Sequence, residues 1–187
     1  MPTIEEFLQD AQRRMDRSIE MTRTEFNSVR TGRASAALLD RITIDYYGTP
    51  TPLKNLATIN TPEPRMLTIQ PFDPSAIKQI EKTIMESDLG LTPSSDGKLI
   101  RLPIPQLTEE RRKELVKLVR QMAEEGRVAV RNVRRDAIKH LEELAKGGDV
   151  GDDDERAAEG RVQKLTDEHV AKIDDLLKRK EAEIMEV

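Results

Sequence analysis

The sequence contains no cysteine and no tryptophan, and its two tyrosines and three phenylalanines make up only 3% of 187 residues. Without cysteine, disulfides, thiolate nucleophiles, iron–sulfur clusters and cysteine-based zinc sites are excluded, which suits a cytoplasmic protein. The scarcity of aromatic side chains, beside 35% charged residues, argues against one thick globular core. It favours long helices with a large solvated surface.

Long hydrophobic runs are also missing. No apolar stretch approaches the ~20 residues that a membrane-spanning helix needs. The N-terminal region carries Glu5, Glu6 and Asp10, whereas a signal peptide would be basic and then apolar. We therefore expect a soluble, unprocessed chain that stays in the cytoplasm and has no membrane partner.

Proline is almost confined to the middle of the chain, because nine of the ten prolines fall between residues 31 and 105. Proline breaks helix interiors, so the two flanks can be helical and the middle cannot form one long helix. We predict an α+β protein in which residues 1–30 plus 106–187 form one discontinuous helical domain. Residues 31–105 form a small domain inserted into it.

The flanks carry three helical patterns. Thr3 and Glu6 have the spacing of a capping box ahead of the first apolar stripe. A second helix is predicted to begin at Thr108 and end at Gly147-Gly148, and a third to begin within Asp149–Glu155 and continue to the end. Each helix has one apolar stripe, so we predict that the three pack as an elongated bundle.

The middle segment has β-type periodicity. Apolar and polar residues alternate over Ile42–Tyr46, which is typical of a strand, and Gly48 with two prolines is expected to end it. A helix is predicted after Pro74 and a hairpin turn at Asp96-Gly97. The other β-type runs are Leu53–Ile59, Arg65–Gln70, Leu91–Pro93 and Leu99–Leu102.

Two stretches of chain connect the inserted domain with the bundle. A connection made of two segments can act as a hinge and resists twisting more than a single linker does. The hinge residues predicted from this arrangement are Thr31, Gly32, Arg33, Pro103, Ile104, Pro105 and Gln106.

The net charge of −4 conceals one strongly basic segment, since residues 111–140 carry 10 basic and 4 acidic side chains. Six cations of the second helix, spaced by three, four or seven residues, share a face that only Glu124 interrupts. This basic stripe consists of Lys113, Lys117, Arg120, Arg127, Arg131 and Arg134. We predict that it binds nucleic-acid phosphates; the alternative is a solvated face paired with Glu124, Glu125 and Asp136. No aromatic residue interleaves the stripe, which argues against base-specific readout.

The chemistry of an enzyme is hard to assemble from the remaining residues. His140 and His169 lack metal-motif spacing and are predicted to lie on helix surfaces or at the bundle edge. No serine has a G-x-S-x-G context, and no phosphate loop or calcium loop is complete. We therefore predict no catalytic residue, no cofactor and no metal. Two alternatives stay open: a helical scaffold or chaperone whose arginines only keep it soluble, and a hydrolase using Asp45, Asp73 and Asp96.

Six motifs, in order along the chain, closely resemble those of the bacterial ribosome recycling factors. The similarity extends from end to end of the sequence. The six are Val29–Ser35, Leu38–Asp40, Tyr46–Leu53, Ser87–Gly90, Leu107–Lys113 and Arg127–Asp136, followed by Gln163–Asp167 and Lys180–Glu183.

The resemblance implies a long antiparallel three-helix bundle that carries a small β/α/β domain, L-shaped and close to transfer RNA in outline. It also implies a function without covalent chemistry. Such factors bind the post-termination ribosome and, with elongation factor G and GTP, promote its dissociation and release from messenger RNA. We expect a monomer that acts in the cytoplasm.

Site residues follow from the resemblance by position. The arginines that face large-subunit ribosomal RNA in this family correspond here to Arg112, Arg131 and Arg134. Arg30, Arg127 and Arg135 are their neighbours. The segments that would contact elongation factor G match too loosely for residues to be assigned.

Overall fold

The computed structural model describes residues 2–186, which form two compact units. One unit combines the described residues of Met1–Arg30 and Glu109–Val187, and the other comprises Thr31–Thr108. Within the described part of the chain, no helix has the length and apolar character required to cross a membrane. The elements in chain order are α1 (Ile4–Ser28), β1 (Thr43–Tyr46), β2 (Thr49–Pro52), β3 (Ala57–Glu63), β4 (Met66–Pro71), α2 (Ile77–Glu86), β5 (Ser94–Ser95), β6 (Ile100–Pro103), α3 (Glu109–Lys146) and α4 (Asp152–Met185).

The first unit is a bundle of α1, α3 and α4, as predicted. The capping box at the start of α1 is confirmed, because the Thr3 hydroxyl accepts from the Glu6 amide at 3.2 Å and the Glu6 carboxylate accepts from the Thr3 amide at 2.8 Å. Helix α3 ends one residue before the predicted Gly147-Gly148 stop. Gly148 has a φ of +77°, and the next amide, that of Asp149, closes the helix on the Leu144 carbonyl at 3.0 Å.

Contacts between helices show how α1 runs relative to α3 and where α4 meets α1. Arg14 of α1 binds Asp136 of α3 at 2.8 Å, whereas Thr22, further along α1, faces Gly126, which comes earlier in α3. Helices α1 and α3 are therefore antiparallel. Arg161 of α4 binds Glu5 near the start of α1, at 2.9 Å.

The interior of the bundle is a narrow apolar seam. A Cβ added at Gly126 would clash with the Thr22 hydroxyl and lie 3.2 Å from Cδ1 of Ile173, so the glycine permits close approach of the helices. The buried apolar side chains include Leu8, Met15, Ile19 and Phe26 of α1, Leu115, Val119, Val130 and Leu141 of α3, and Val162, Ile173 and Ile184 of α4.

One prediction about the histidines was wrong. His169 lies inside the bundle and is only 2% exposed, not on a surface or edge. Its burial is tolerated because both ring nitrogens have hydrogen-bond partners: Nδ1 is 2.6 Å from the Leu165 carbonyl and Nε2 is 2.7 Å from Asp16. His140 is half exposed, in agreement with the prediction, and its ring stacks on Phe7 with centroids 5.0 Å apart.

The second unit packs α2 against an antiparallel sheet in the order β3-β4-β6-β5. Alternate residues of the central strands point into the core, as expected for a sheet with one buried face. Fully buried core side chains are Leu67, Ile69, Ile80, Ile84, Ile100 and Leu102. The predicted fold class, α+β with a long helical bundle, is confirmed.

Three strand predictions need correction. The first strand does end before Gly48, because Tyr47 and Gly48, both with positive φ, form a turn, but the two prolines then lie in a second strand, β2, which pairs antiparallel with β1. Prolines are accommodated because this two-stranded ribbon has free edges. The start of the predicted Leu53–Ile59 run is a 3-10 turn. The hairpin at Asp96-Gly97 begins at Ser94–Ser95, not at Leu91–Pro93.

Candidate nucleic-acid interface

The predicted arginines are distributed along α3, and their separation follows from the helix itself. At 1.5 Å per residue, Arg112 and Arg134 lie about 33 Å apart along the axis. This extent suits a series of contacts along a nucleic-acid backbone better than a single binding pocket. Arg30 is exposed and follows the end of α1.

Two members of the basic stripe bind carboxylates of α4. Nε of Arg120 donates to Glu181 at 2.6 Å, and Nε of Arg127 donates to Asp174 at 2.8 Å. The Arg127 side chain is only 18% exposed. These two arginines hold α3 against α4, through carboxylates other than the Glu124, Glu125 and Asp136 that the alternative interpretation of the stripe named.

Arg127 also binds Glu124 of its own helix, at 3.0 Å. Burial opposes its charge, but the bonds to Asp174 and Glu124 together raise the pKa of Arg127 above its usual value. Arg127 therefore remains a cation whose donors are largely occupied within the protein.

Arg112, Arg134 and Arg135 differ from the paired arginines. Among the described residues, none of the three has a carboxylate within salt-bridge distance. Nη1 of Arg134 reaches only the neutral amide oxygen of Gln163, at 3.3 Å. The Nε atoms of Arg112 and Arg134 are buried and have no hydrogen-bond partner, so their stems are packed while their charge is uncompensated.

Arg135 interacts with Asp136 only at longer range, because Asp136 forms its hydrogen bond with Arg14 instead. Asp136 is bound by Arg14 of α1 at 2.8 Å, and this hydrogen bond is the main reason that the pKa of Asp136 is lowered. Asp136, one of the three acidic residues considered as partners of the stripe, thus belongs to an α1–α3 contact. Arg135 itself is exposed.

Arg131 is intermediate between the two groups. Its side chain is 46% exposed, and Nη1 lies 3.3 Å from Glu124 of the preceding turns. That distance and exposure are typical of a weak surface ion pair. The bonds from Arg120 and Arg127 to carboxylates of α4 were not predicted, although the acidic charge of the third helix was a signal for them.

Two of the three carboxylates considered for a hydrolase, Asp73 and Asp96, have structural roles. Asp73 accepts from the amide and the hydroxyl of Ser75, at 3.0 and 2.7 Å, and from the Tyr46 hydroxyl at 3.0 Å. Asp96 accepts from the amides of Lys98 and Leu99 in the hairpin turn. These bonds lower the pKa of both carboxyl groups, which does not suit a general acid. Within residues 2–186, no group of three or more acidic or histidine side chains is placed to hold a metal ion.

The predicted hinge segments lie beside one another within the second unit. A Cβ added to Gly32, whose φ is +77°, would lie 3.1 Å from Cγ of Leu107. The Ala34 amide donates to the Pro64 carbonyl at 2.7 Å, and the Ile104 amide donates to the Arg65 carbonyl at 2.8 Å. The loop at Pro64–Arg65 therefore bonds to the chain at both connections. Pro103, the first residue of the second connection, is also the last residue of β6.

Comparison with known proteins places the chain in a class of non-enzymatic translation factors. The family model described as ribosome recycling factor matches residues 22–185. The chain belongs to the ribosome recycling factor family.

Similar proteins cover nearly the whole chain. The ribosome-recycling factor of Rubrobacter xylanophilus is 58% identical over 180 residues, which is 96% of this chain and 97% of that protein. The Bacillus subtilis ribosome-recycling factor is 56% identical over 182 residues, 97% of this chain and 98% of its own.

Two solved structures are similar in fold and sequence. A solution structure of a ribosome recycling factor has a TM-score of 0.71 and 42% identity, with all of both chains covered. Models for the T. thermophilus ribosome recycling factor and the E. coli elongation factor G bound to the E. coli post-termination complex give a TM-score of 0.62 and 46% identity, covering 99% of this chain and 100% of that one.

Proposed function

We propose that this protein recycles ribosomes: it binds the post-termination ribosome and, with elongation factor G and GTP, promotes dissociation of the ribosome and its release from messenger RNA. Similarity to ribosome recycling factors over almost the full length carries this assignment. A structurally similar factor has been placed with elongation factor G on a post-termination complex. The protein contributes binding and movement, and GTP hydrolysis belongs to its partner. It acts as a monomer in the cytoplasm.

The surface that binds the ribosome is the arginine-bearing side of α3, and its target is large-subunit ribosomal RNA. Arg112, Arg134 and Arg135 supply the main phosphate contacts, because none of the three has a described carboxylate at salt-bridge distance. Arg131 adds a contact on α3, Arg30 adds one after the end of α1, and Arg127 mainly supports the helix. Guanidinium groups suit phosphate because they donate two parallel hydrogen bonds.

The second unit moves relative to the bundle about the hinge at Thr31–Arg33 and Pro103–Gln106. Residues 1–30 plus 106–187 remain docked while residues 31–105 swing when the GTPase partner pushes them. Gly32 supports this role, because its positive φ suits glycine and its neighbour Leu107 directly follows the other hinge segment. Gly32→Ala should therefore slow ribosome splitting while leaving ribosome binding unchanged. Normal splitting by this variant would contradict the hinge.

A splitting assay tests the function directly. Post-termination complexes are mixed with elongation factor G and GTP, and subunit separation is followed by light scattering with and without this protein. We expect splitting only when all components are present. Omission of GTP is the control for dissociation caused by binding alone.

Pelleting of the pure protein with 70S ribosomes separates this function from a scaffold or chaperone that merely has a charged surface. Salt-dependent co-sedimentation supports the ribosomal role. If the protein neither co-sedimented with ribosomes nor split them, the scaffold or chaperone interpretation would be favoured. Size-exclusion chromatography of the free protein tests the monomer.

A further inference from the structure

Glu124 is the one acidic residue within the basic stripe, and its carboxylate lies between two guanidinium groups. One oxygen, Oε2, accepts from Nη1 of Arg127 at 3.0 Å, and the other, Oε1, accepts from Nη1 of Arg131 at 3.3 Å. Arg127 is held from its other side by Asp174. The carboxylate thus connects a fixed arginine with a more exposed one.

The spacing shows how Arg131 is held. Glu124 and Arg131 are seven residues apart, which is about 10 Å along the helix axis. Side chains on a helix lean toward its N-terminus, so the Arg131 side chain reaches back along α3 to meet Glu124. Its guanidinium group is drawn along the helix surface instead of projecting outward.

A carboxylate and a phosphate offer the same pair of acceptor oxygens to an arginine. Between Arg127 and Arg131, Glu124 takes the place that a backbone phosphate would take. We propose that Glu124 is a built-in competitor for RNA phosphate: it holds Arg131 in the free protein and yields it to a phosphate of the sugar-phosphate backbone on the ribosome. This inference rests on the proposed docking of α3 on ribosomal RNA.

The competitor makes binding selective. The Glu124 and Arg131 side chains are 55% and 46% exposed, so their ion pair is weak and exchanges readily. A phosphate displaces Glu124 only when other contacts, at Arg112 and Arg134, already hold the backbone in register. Glu124 therefore lowers affinity for RNA that would offer a phosphate to Arg131 alone.

Glu124→Gln tests the proposal, because glutamine keeps the size of the side chain and removes its charge. In co-sedimentation with 70S ribosomes over a range of salt, we expect affinity to rise about two- to fivefold, the strength of an exposed ion pair. The salt slope should change by less than about one unit, because Arg131 contacts a phosphate in the complex of either protein. Thermal unfolding of every variant checks that the bundle is intact.

Glu125→Gln is the matched control. It removes the same charge one residue further along, where Gln121 is the bonded neighbour at 3.5 Å, and it should leave affinity unchanged. Combining Glu124→Gln with Arg131→Ala should abolish the gain, because the effect acts through Arg131. An equal gain from Glu125→Gln would overturn the proposal, since it would show a general charge effect.

Arg134→Ala distinguishes failure of this inference from failure of the docking surface. If Arg134→Ala weakens ribosome binding while Glu124→Gln binds like the unaltered protein or less tightly, docking stands and the competitor role of Glu124 is wrong. If neither variant changes affinity, the docking surface itself is wrong and the inference falls with it.

Discussion

The arginines of α3 fall into two groups that the sequence makes look alike. Arg120 and Arg127 are bonded to carboxylates of α4, whereas Arg112 and Arg134 have buried stems and no described carboxylate partner. This difference shows that the density of positive charge along a helix overestimates the surface available to a ligand, because some of the arginines bind carboxylates within the protein. What remains for a ligand is the charge that the fold leaves uncompensated.

The largest effect should come from removing the uncompensated group. We expect the combined variant Arg112→Ala with Arg134→Ala to lose about a hundredfold or more in ribosome affinity, since hydrogen bonds to charged groups contribute about 1.5–3 kcal/mol each. The salt slope should fall by about one for each lost contact. Co-sedimentation at several salt concentrations measures both. Binding equal to that of the unaltered protein would place the interface elsewhere.

Widening the spacing between α3 and its neighbours should disturb the contact of Arg127 with α4. Gly126→Ala introduces a Cβ that clashes with Thr22 and crowds Ile173, next to the Asp174 that binds Arg127. We expect a loss of about 1–3 kcal/mol in unfolding free energy from overpacking, although alanine is the better helix former. Thermal unfolding measures it.

Gly160→Ala is the control for Gly126→Ala. Gly160 also lies within a helix, but nothing stands within 4 Å of its added Cβ. This variant should be more stable by up to about 1 kcal/mol. If both variants gained stability, the close approach of the helices at Gly126 would not contribute to the unfolding free energy.

A smaller effect should follow from Arg127→Ala. We expect the unfolding free energy of the bundle to fall by about 1 kcal/mol, because removal of the mostly buried arginine leaves Asp174 and Glu124 without their shared cation. Ribosome affinity should fall less than in Arg134→Ala. Urea unfolding and co-sedimentation of the same preparations test the contrast, and a greater affinity loss than that of Arg134→Ala would reverse the two roles.

The smallest effect concerns pH. The bond from Arg14 lowers the pKa of Asp136 from 3.8, so this carboxylate stabilises the fold above that value and loses its contribution as pH falls through the lower, folded-state pKa. Asp136→Asn should be less stable than the unaltered protein at pH 7, and the difference should shrink below about pH 4. Urea midpoints at both pH values measure this. Asp175→Asn, at an exposed position on α4, is the control for the loss of one surface charge and should change the urea midpoint little at either pH.

The helices and the fold class followed from sequence because their signals are local. The Thr3–Glu6 capping box, the Gly147-Gly148 stop and the concentration of prolines each act through nearby backbone. Strand β2 was missed because Pro50 and Pro52 usually end strands, and only its pairing with β1 reveals the exception. Buried His169 was missed for a similar reason, since its partner Asp16 lies on another helix.

The interface was predictable only in part. The basic stripe was visible as helical spacing, but the partners of Arg120 and Arg127 lie on α4, more than 40 residues further along the chain, and spacing cannot show them. Arg112 is not on the stripe and entered only through resemblance to the family. Its role, like those of Arg131 and Arg134, remains a prediction that the binding experiments decide.

The insertion of Thr31–Thr108 into the bundle has a consequence for biosynthesis. Helix α1 leaves the ribosome first, yet its partners α3 and α4 follow only after the whole insert. At about 5–20 residues per second, α1 waits roughly 4–16 s before α3 begins to emerge. The insert has its own core and can fold during that interval, so the earliest helix to be made is among the last to find its place.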